Sequence, residues 1–217
     1  MKNKRSCYIF GAGQPPLLPP SPNTNDLVIA ADGGYSYTQR ERIHVDVLIG
    51  DFDSLDESIG NLDKNLIVKR LPKEKDETDL LASLKYGIEN GCNEFHIYGG
   101  TGKRIDHTLA NIQCLIYLVS IGARGYLYSD DSVITVFDKS IVLKAKNSGT
   151  VSLFSTGGVS SGVTIRGLKY ELTAATLKDS YPQGVSNEFI GLNAEIEVKD
   201  GMLMLVYPIG TVEINRR

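Results

Sequence analysis

The feature that most constrains this fold is a series of short, almost wholly apolar runs in the first 130 residues, several of which stop at glycine or aspartate. Cys7-Tyr8-Ile9-Phe10 precedes Gly11-Ala12-Gly13, and Leu27-Val28-Ile29-Ala30-Ala31 precedes Asp32-Gly33-Gly34. Asp46-Val47-Leu48-Ile49 precedes Gly50-Asp51, and Phe95-His96-Ile97-Tyr98 precedes Gly99-Gly100. Leu66-Ile67-Val68 and Gly125-Tyr126-Leu127-Tyr128 complete the set. Runs apolar on both sides of the pleat predict a mostly parallel sheet with helices on both faces. Two helices fit the connections. One spans about Glu77 to Glu89, with Leu80, Leu81, Leu84 and Ile88 on one face. The other spans about Ile105 to Ile121, with Leu109, Ile112, Leu115, Ile116 and Val119 inward. Gly91 and Gly122 follow them, where glycine favours termination. Five of the eight prolines lie between Pro15 and Pro22, which bars a regular helix or central strand there.

After about Asp130 the pattern changes to closely spaced strands: Val133–Phe137, Ile141–Leu143, Thr150–Phe154, Val163–Ile165, Ala194–Val198 and Met202–Tyr207. Asp200-Gly201 reads as the turn of a hairpin joining the last two. The expectation is therefore an α/β domain over residues 1–130 and an antiparallel β-sandwich over 131–217. The second core is small and predicts packing against another surface.

A net charge of −3 without blocks of like charge argues against a nucleic-acid binder. Three dispersed cysteines, Cys7, Cys92 and Cys114, fit neither a disulfide framework nor a zinc site and suit a reducing cytoplasm. No apolar run reaches the ~18 residues a membrane span requires.

The chemistry concentrates where the strands end. Asp51 and Asp53 follow Gly50, one residue apart. Close carboxylates repel, and Mg²⁺ is the usual remedy because it takes oxygen ligands. Asp32, Asp76, Asp79 and Asp106, with Lys75, Lys103 and Arg104, fall at other strand ends or helix starts. In a parallel sheet those points share one edge. Asp76 and Asp79, three apart, are expected on one helix face, where Asp76 also suits a capping role. The glycines before Arg104 let a backbone approach phosphate oxygens. Two familiar motifs fail. Gly102-Lys103 is followed by Arg104 and has Ile97 where a P-loop has its first glycine. Gly11-Ala12-Gly13 has Pro16 where a dinucleotide fingerprint has its third. What remains is a magnesium-nucleotide site, which a hydrolase, a nucleotidyl transferase or a kinase would satisfy equally.

The order of motifs resembles the thiamine pyrophosphokinase family. Ala31-Asp32-Gly33-Gly34, Gly50-Asp51-Phe52-Asp53-Ser54, Lys75-Asp76-Glu77-Thr78-Asp79 and Gly102-Lys103-Arg104-Ile105-Asp106-His107 carry the first part of the resemblance. Gly167-Leu168-Lys169-Tyr170 and Ser186-Asn187-Glu188-Phe189 carry the rest. The resemblance implies attack of the thiamine hydroxyl on the β-phosphorus of ATP, giving thiamine diphosphate and AMP. It implies that Asp51, Asp53 and Asp79 hold Mg²⁺, and that Arg104 contacts phosphate. Asp106 would position the attacking hydroxyl or accept its proton. Asp32 and Thr78 would complete the phosphate and metal surroundings, with Lys75, Asp76 and Lys103 on the same ATP-binding edge. Tyr170, Ser186 and Asn187 would meet thiamine. Some members carry tryptophan where this chain has Tyr170, and this chain has none. The family forms homodimers with sites composed from both subunits. A pyrophosphokinase for another hydroxymethyl compound, such as a pterin, is the alternative enzyme. A non-catalytic nucleotide or thiamine sensor is the alternative of another class.

Overall fold

The protein is described from a computed structural model, which covers residues 5–14, 16, 20–52, 66–72, 74 and 76–214. Asp53 and Lys75 lie outside the described residues. The chain divides into two compact units, Met1–Cys114 with Gly125–Asp130, and Leu115–Arg124 with Asp131–Arg217. It is a mixed α/β protein with three described helices and a large set of strands.

The first unit is built on β1 (Arg5–Phe10), β2 (Leu27–Ala31), β3 (Val47–Gly50), β4 (Ile67–Arg70), β5 (Cys92–Tyr98) and β6 (Arg124–Tyr128). Their order is β4-β3-β2-β1-β5-β6. The β1–β2, β2–β3, β3–β4 and β1–β5 pairs are parallel. All five residues of β2 are buried, as its unbroken apolar run requires. From β1 the chain steps outward to β2, β3 and β4, then returns to β5 on the other side of β1. The carboxyl ends of β1 and β5 therefore flank a topological switch point, where open sheets bind ligands.

Helix α2 (Asp79–Glu89) starts two residues later than its periodicity suggests, because Thr78 caps it. The Thr78 hydroxyl accepts the Leu81 N–H at 3.2 Å. Asp79 is thus the first helical residue, and Asp76 precedes the cap and shares no helix face with it. Gly87 lets α2 lie close to the sheet: a Cβ there would sit 2.6 Å from the Phe95 ring and 3.1 Å from Cys7 Sγ. Helix α3 (Ile105–Ser120) buries Asn111, Cys114, Leu115, Leu118 and Val119. Leu109, expected inward, is 60% exposed. The stripe is rotated because Asn111 turns in to donate to the Gly100 carbonyl at 2.7 Å. The short α1 (Gly34–Arg40) has no side-chain cap, and nothing in its periodicity announces it. Its first residue must be glycine, because a Cβ on Gly34 would lie 1.9 Å from the Phe10 carbonyl oxygen.

The second unit contains β7 (Ser132–Phe137), β8 (Ser140–Leu143), β9 (Thr150–Arg166), β10 (Leu172–Lys178), β11 (Gly184–Glu188), β12 (Ala194–Glu197) and β13 (Asp200–Pro208). Every described pairing among them is antiparallel. Their order is β7-β13-β9-β12-β8, with β10 and β11 also on β9. Two expectations are corrected here. The runs at Thr150–Phe154 and Val163–Ile165 are one strand of 17 residues, which bends through Gly157, Gly158 and Gly162 at positive φ. The expected Asp200-Gly201 hairpin does not pair β12 with β13, because β9 runs between them. A Cβ on Gly201 would meet the Val159 carbonyl at 2.6 Å, so the glycine serves this approach of β9.

Candidate active site

Asp32 stands directly after β2 with φ 45°, in the left-handed region that costs a non-glycine residue of order 1–3 kcal/mol. Its backbone N–H donates to the Ile49 carbonyl at 2.9 Å. Gly50 is required beside it, since a Cβ there would lie 1.7 Å from Asp32 Oδ1. Phe52, also at positive φ (63°), is buried in the core and donates its backbone N–H to the Asp32 carboxylate. The Asp79 carboxyl hydrogen-bonds that of Asp32, and Asp51 adds a further negative charge. Burial first, then Asp79, push the Asp32 carboxyl up to about 7. Even so, Asp32 Oδ1 is buried with no hydrogen-bond partner among the described residues.

An orphaned carboxylate oxygen among mutually repelling acids is the donor set a hard cation satisfies, so these residues fit Mg²⁺. Among the described residues no group of three acidic, histidine or cysteine side chains already stands at metal-binding spacing. Asp53, the expected further ligand, lies outside them.

A cavity of about 270 Å³ opens beside this cluster and is lined by Asp32, Thr78, Asp79, Lys103 and Arg104. Gly11, Ala12, Gly13, Gly99 and Gly100 also line it, so part of the wall is nearly bare backbone. The N–H groups of Gly11, Gly13 and Gln14 donate to the carbonyls of Tyr98, Gly99 and Thr101 at 2.8, 2.7 and 2.8 Å. A Cβ on Gly13 would lie 2.3 Å from the Gly99 oxygen. The two loops therefore close on each other only because both carry glycine, and they bring peptide groups up to the cavity.

Lys103 ties the wall down, donating from Nζ to the Ala12 carbonyl at 2.7 Å. Arg104 donates to Asp106 from Nε at 3.1 Å and from a terminal nitrogen at 2.5 Å. This exposed pair holds the Asp106 carboxyl down at about 2, chiefly through the Arg104 hydrogen bonds. Asp106 is therefore a weak base while the pair is closed. Asp76 is exposed and lines no part of the cavity. Asn111, His107 and the Gly11–Gly13 segment do line it, although they were not among the expected site residues. For the segment the signal was present in Gly11-Ala12-Gly13, which fails as a dinucleotide fingerprint and works as a bare wall.

The second unit holds Tyr170, Ser186 and Asn187. Asn187 is buried, and both polar atoms of its carboxamide are hydrogen-bonded. Oδ1 accepts the N–H groups of Tyr170 and Glu188, each at 2.9 Å, and Nδ2 donates to the Tyr170 carbonyl at 2.7 Å. The amide thus fixes the Tyr170 backbone, while the Tyr170 side chain stands out at 58% exposure with Lys169 Nζ 5.5 Å from its ring centre. Ser186 is exposed, at φ 62°, with its N–H donated to Ser152 Oγ at 3.1 Å.

The family model described as "Thiamin pyrophosphokinase, catalytic domain" matches residues 21–126, and "Thiamin pyrophosphokinase, vitamin B1 binding domain" matches residues 139–203. The chain belongs to the thiamine pyrophosphokinase family. It is 28% identical to the thiamine pyrophosphokinase of Bacillus subtilis (strain 168) over 165 residues, covering 72% of this chain and 75% of that one. The crystal structure of the Bacillus subtilis thiamine pyrophosphokinase superposes with a TM-score of 0.84 at 27% identity, covering 95% of this chain and all of that one. The thiamin pyrophosphokinase of Candida albicans shares the fold at 17% identity, with a TM-score of 0.72 over 94% of this chain and 89% of that one. As a thiamine pyrophosphokinase family member, the chain carries Asp32, Asp51, Asp79, Arg104 and Asp106 within the catalytic-domain match. Tyr170, Ser186 and Asn187 fall within the vitamin B1 match.

Proposed function

We propose that this protein is a thiamine diphosphokinase, moving the diphosphoryl group of ATP onto the hydroxyl of thiamine to give thiamine diphosphate and AMP. The observation that carries the reading is one cavity lined by Asp32 and Asp79 together with Lys103 and Arg104. It offers oxygen donors for a cation beside cations for a polyphosphate, against a wall that admits close approach.

The residue roles follow from these positions. Asp51, Asp53 and Asp79 hold Mg²⁺, with Asp32 completing the cage through its orphaned oxygen. Bound there, Mg²⁺ would neutralise polyphosphate charge and keep its oxygens aligned. Thr78 fixes where Asp79 enters the cavity by capping α2. Lys75 and Lys103 add positive charge along the ATP edge, and Asp76 acts only at its exposed rim. Arg104 changes partner: when phosphate takes its guanidinium, Asp106 loses the contact that depresses it and becomes free to accept a hydrogen bond from the thiamine hydroxyl. Catalysis here is alignment and charge stabilisation. Tyr170 and Ser186 contact thiamine, and Asn187 positions Tyr170 without touching the substrate. The exposed aromatic face of Tyr170 suits a flat or cationic ring.

The same reading takes residues 1–130, with helices on both sheet faces, as the ATP- and Mg-binding domain. It takes residues 131–217 as a thiamine-binding β-sandwich that also dimerises. The active unit is a cytoplasmic homodimer with composite sites, for which the support is family resemblance. No described helix is long and apolar enough to cross a membrane. Chromatography of a reaction with Mg-ATP and thiamine tests the proposal: equal amounts of AMP and thiamine diphosphate are expected. ADP with thiamine monophosphate, or transfer only to a pterin alcohol, would overturn it.

A further inference from the structure

Asn111 stands on the buried face of α3, only 6% exposed, and lines the candidate active-site cavity. Cys114, Leu115 and Leu118 share its burial, and an apolar side chain among them would leave no polar group to satisfy. The amide therefore needs a reason to be there, and half of that reason lies within the chain. Nδ2 donates to the Gly100 carbonyl at 2.7 Å. A carbonyl only accepts, so the atom facing it is the amide nitrogen, and the orientation of the carboxamide is fixed. Gly100 permits the approach, since a Cβ there would lie 3.1 Å from Asn111 Nδ2 and 2.6 Å from Leu127 Cδ1.

The other half is Oδ1. It makes no hydrogen bond to the described residues, and it is not sealed from solvent as the orphaned Asp32 oxygen is. It opens instead on the cavity that its residue lines. With Nδ2 committed to Gly100, the amide presents an acceptor alone. Phosphate oxygens are acceptors as well and are turned away, so the partner that completes the amide carries an N–H. Beside it the cavity is lined by Gly99, Gly100 and Leu80, a bare and apolar stretch of wall that leaves room for a flat ring.

We propose that Asn111 is a specificity-determining residue of this cavity, whose Oδ1 accepts a hydrogen bond from the exocyclic amino group of an aminopyrimidine ring. The inference rests on the proposed reaction, whose two substrates both carry that group, ATP on its adenine and thiamine on its pyrimidine. A ring with a carbonyl in place of the amino group would set acceptor against acceptor and leave both oxygens unpaired.

Calorimetric titration of the whole protein in Mg²⁺ tests it in two arms. One compares non-hydrolysable analogues of ATP and of inosine triphosphate, which has a carbonyl where adenine has its amino group. The other compares thiamine with oxythiamine, altered in the same way. In one arm the wild type should bind the amino form at least about tenfold more tightly, and that arm names the ring that Asn111 reads. Asn111→Ala should bring this preference to within about twofold by weakening the amino form alone. An amide that only braced Gly100 would weaken both forms equally and leave the ratio unchanged. Asn111→Ser, whose hydroxyl is too short to replace Oδ1, gives the same reading if the alanine variant does not fold. No amino preference in either arm of the wild type, or a wild-type preference kept in the variant, would overturn the inference and leave the reaction standing. Failure of the ATP analogue and thiamine alike to bind would overturn it together with the reaction.

Discussion

Two turns in this molecule solve opposite problems. Around Asn187 every polar atom of the buried carboxamide finds a partner within the chain, and the result is a fixed platform for an exposed Tyr170. Around Asp32 the chain does the reverse. Two residues at positive φ and a glycine that cannot be replaced bring a carboxylate against another carboxylate and leave one oxygen unpaired. A satisfied turn holds its shape without help. A turn with an orphaned acceptor and crowded negative charge gains stability only when something positive arrives. In a family whose matched parts are a catalytic and a vitamin B1 binding domain, the first turn reads as substrate platform and the second as metal cradle.

The largest effect expected from breaking this contrast comes from Asp79→Asn or Asp51→Asn. Either change should lower turnover on the order of a thousandfold. It should not lower the thermal midpoint, because repulsion around Asp32 is relieved. Turnover and calorimetry on the same preparations check both halves, and near wild-type turnover in both variants would remove the metal assignment.

A smaller loss, roughly a hundredfold, is expected for Arg104→Ala, which removes the proposed donor to the phosphates. Asp106 should then titrate near an ordinary carboxylate instead of at about 2, an effect visible in a carbon-detected NMR titration. A carboxyl still titrating near 2 would show that Arg104 is not what holds it.

Asn187→Ala acts on the platform instead of the chemistry. Loss of its buried hydrogen bonds should cost about 1–3 kcal/mol and lower the thermal midpoint by several degrees. The KM for thiamine should rise while the KM for ATP stays constant. A matched rise in both would argue that the amide supports the whole molecule and not Tyr170 in particular.

The last effect is a pH dependence. The folded Asp32 carboxyl sits at about 7, above its ordinary value of 3.8. The folded state therefore binds the proton more tightly than the unfolded chain. Its stabilisation is complete below the ordinary value and fades as pH rises through about 7. In metal-free protein the thermal midpoint should decline over that window more steeply for the wild type than for Asp32→Asn. Parallel curves would contradict the shift.

Much of the edge was legible because strand ends and helix starts carry it. Asp32, Thr78, Asp79, Lys103 and Arg104 were expected together and line one cavity. What was not legible depended on contacts between distant segments. The Gly11–Gly13 wall needs Gly99 and Thr101 opposite it, some ninety residues away. Leu109 faces outward because Asn111 reaches Gly100, a choice that helical periodicity cannot register. Gly201 looked like a hairpin turn and instead makes room for β9. Asn187 was expected beside thiamine, and its bonds to the Tyr170 backbone could not be read from the sequence.

The most direct test of the cradle is Mn²⁺ binding followed by electron paramagnetic resonance, with Mn²⁺ standing in for Mg²⁺ and a non-hydrolysable ATP analogue present. The wild type should bind the ion, and both Asp79→Asn and Asp32→Asn should weaken it by roughly 10–100-fold while Asn187→Ala leaves it unchanged. Equal affinity in the wild type and both aspartate variants would contradict the account.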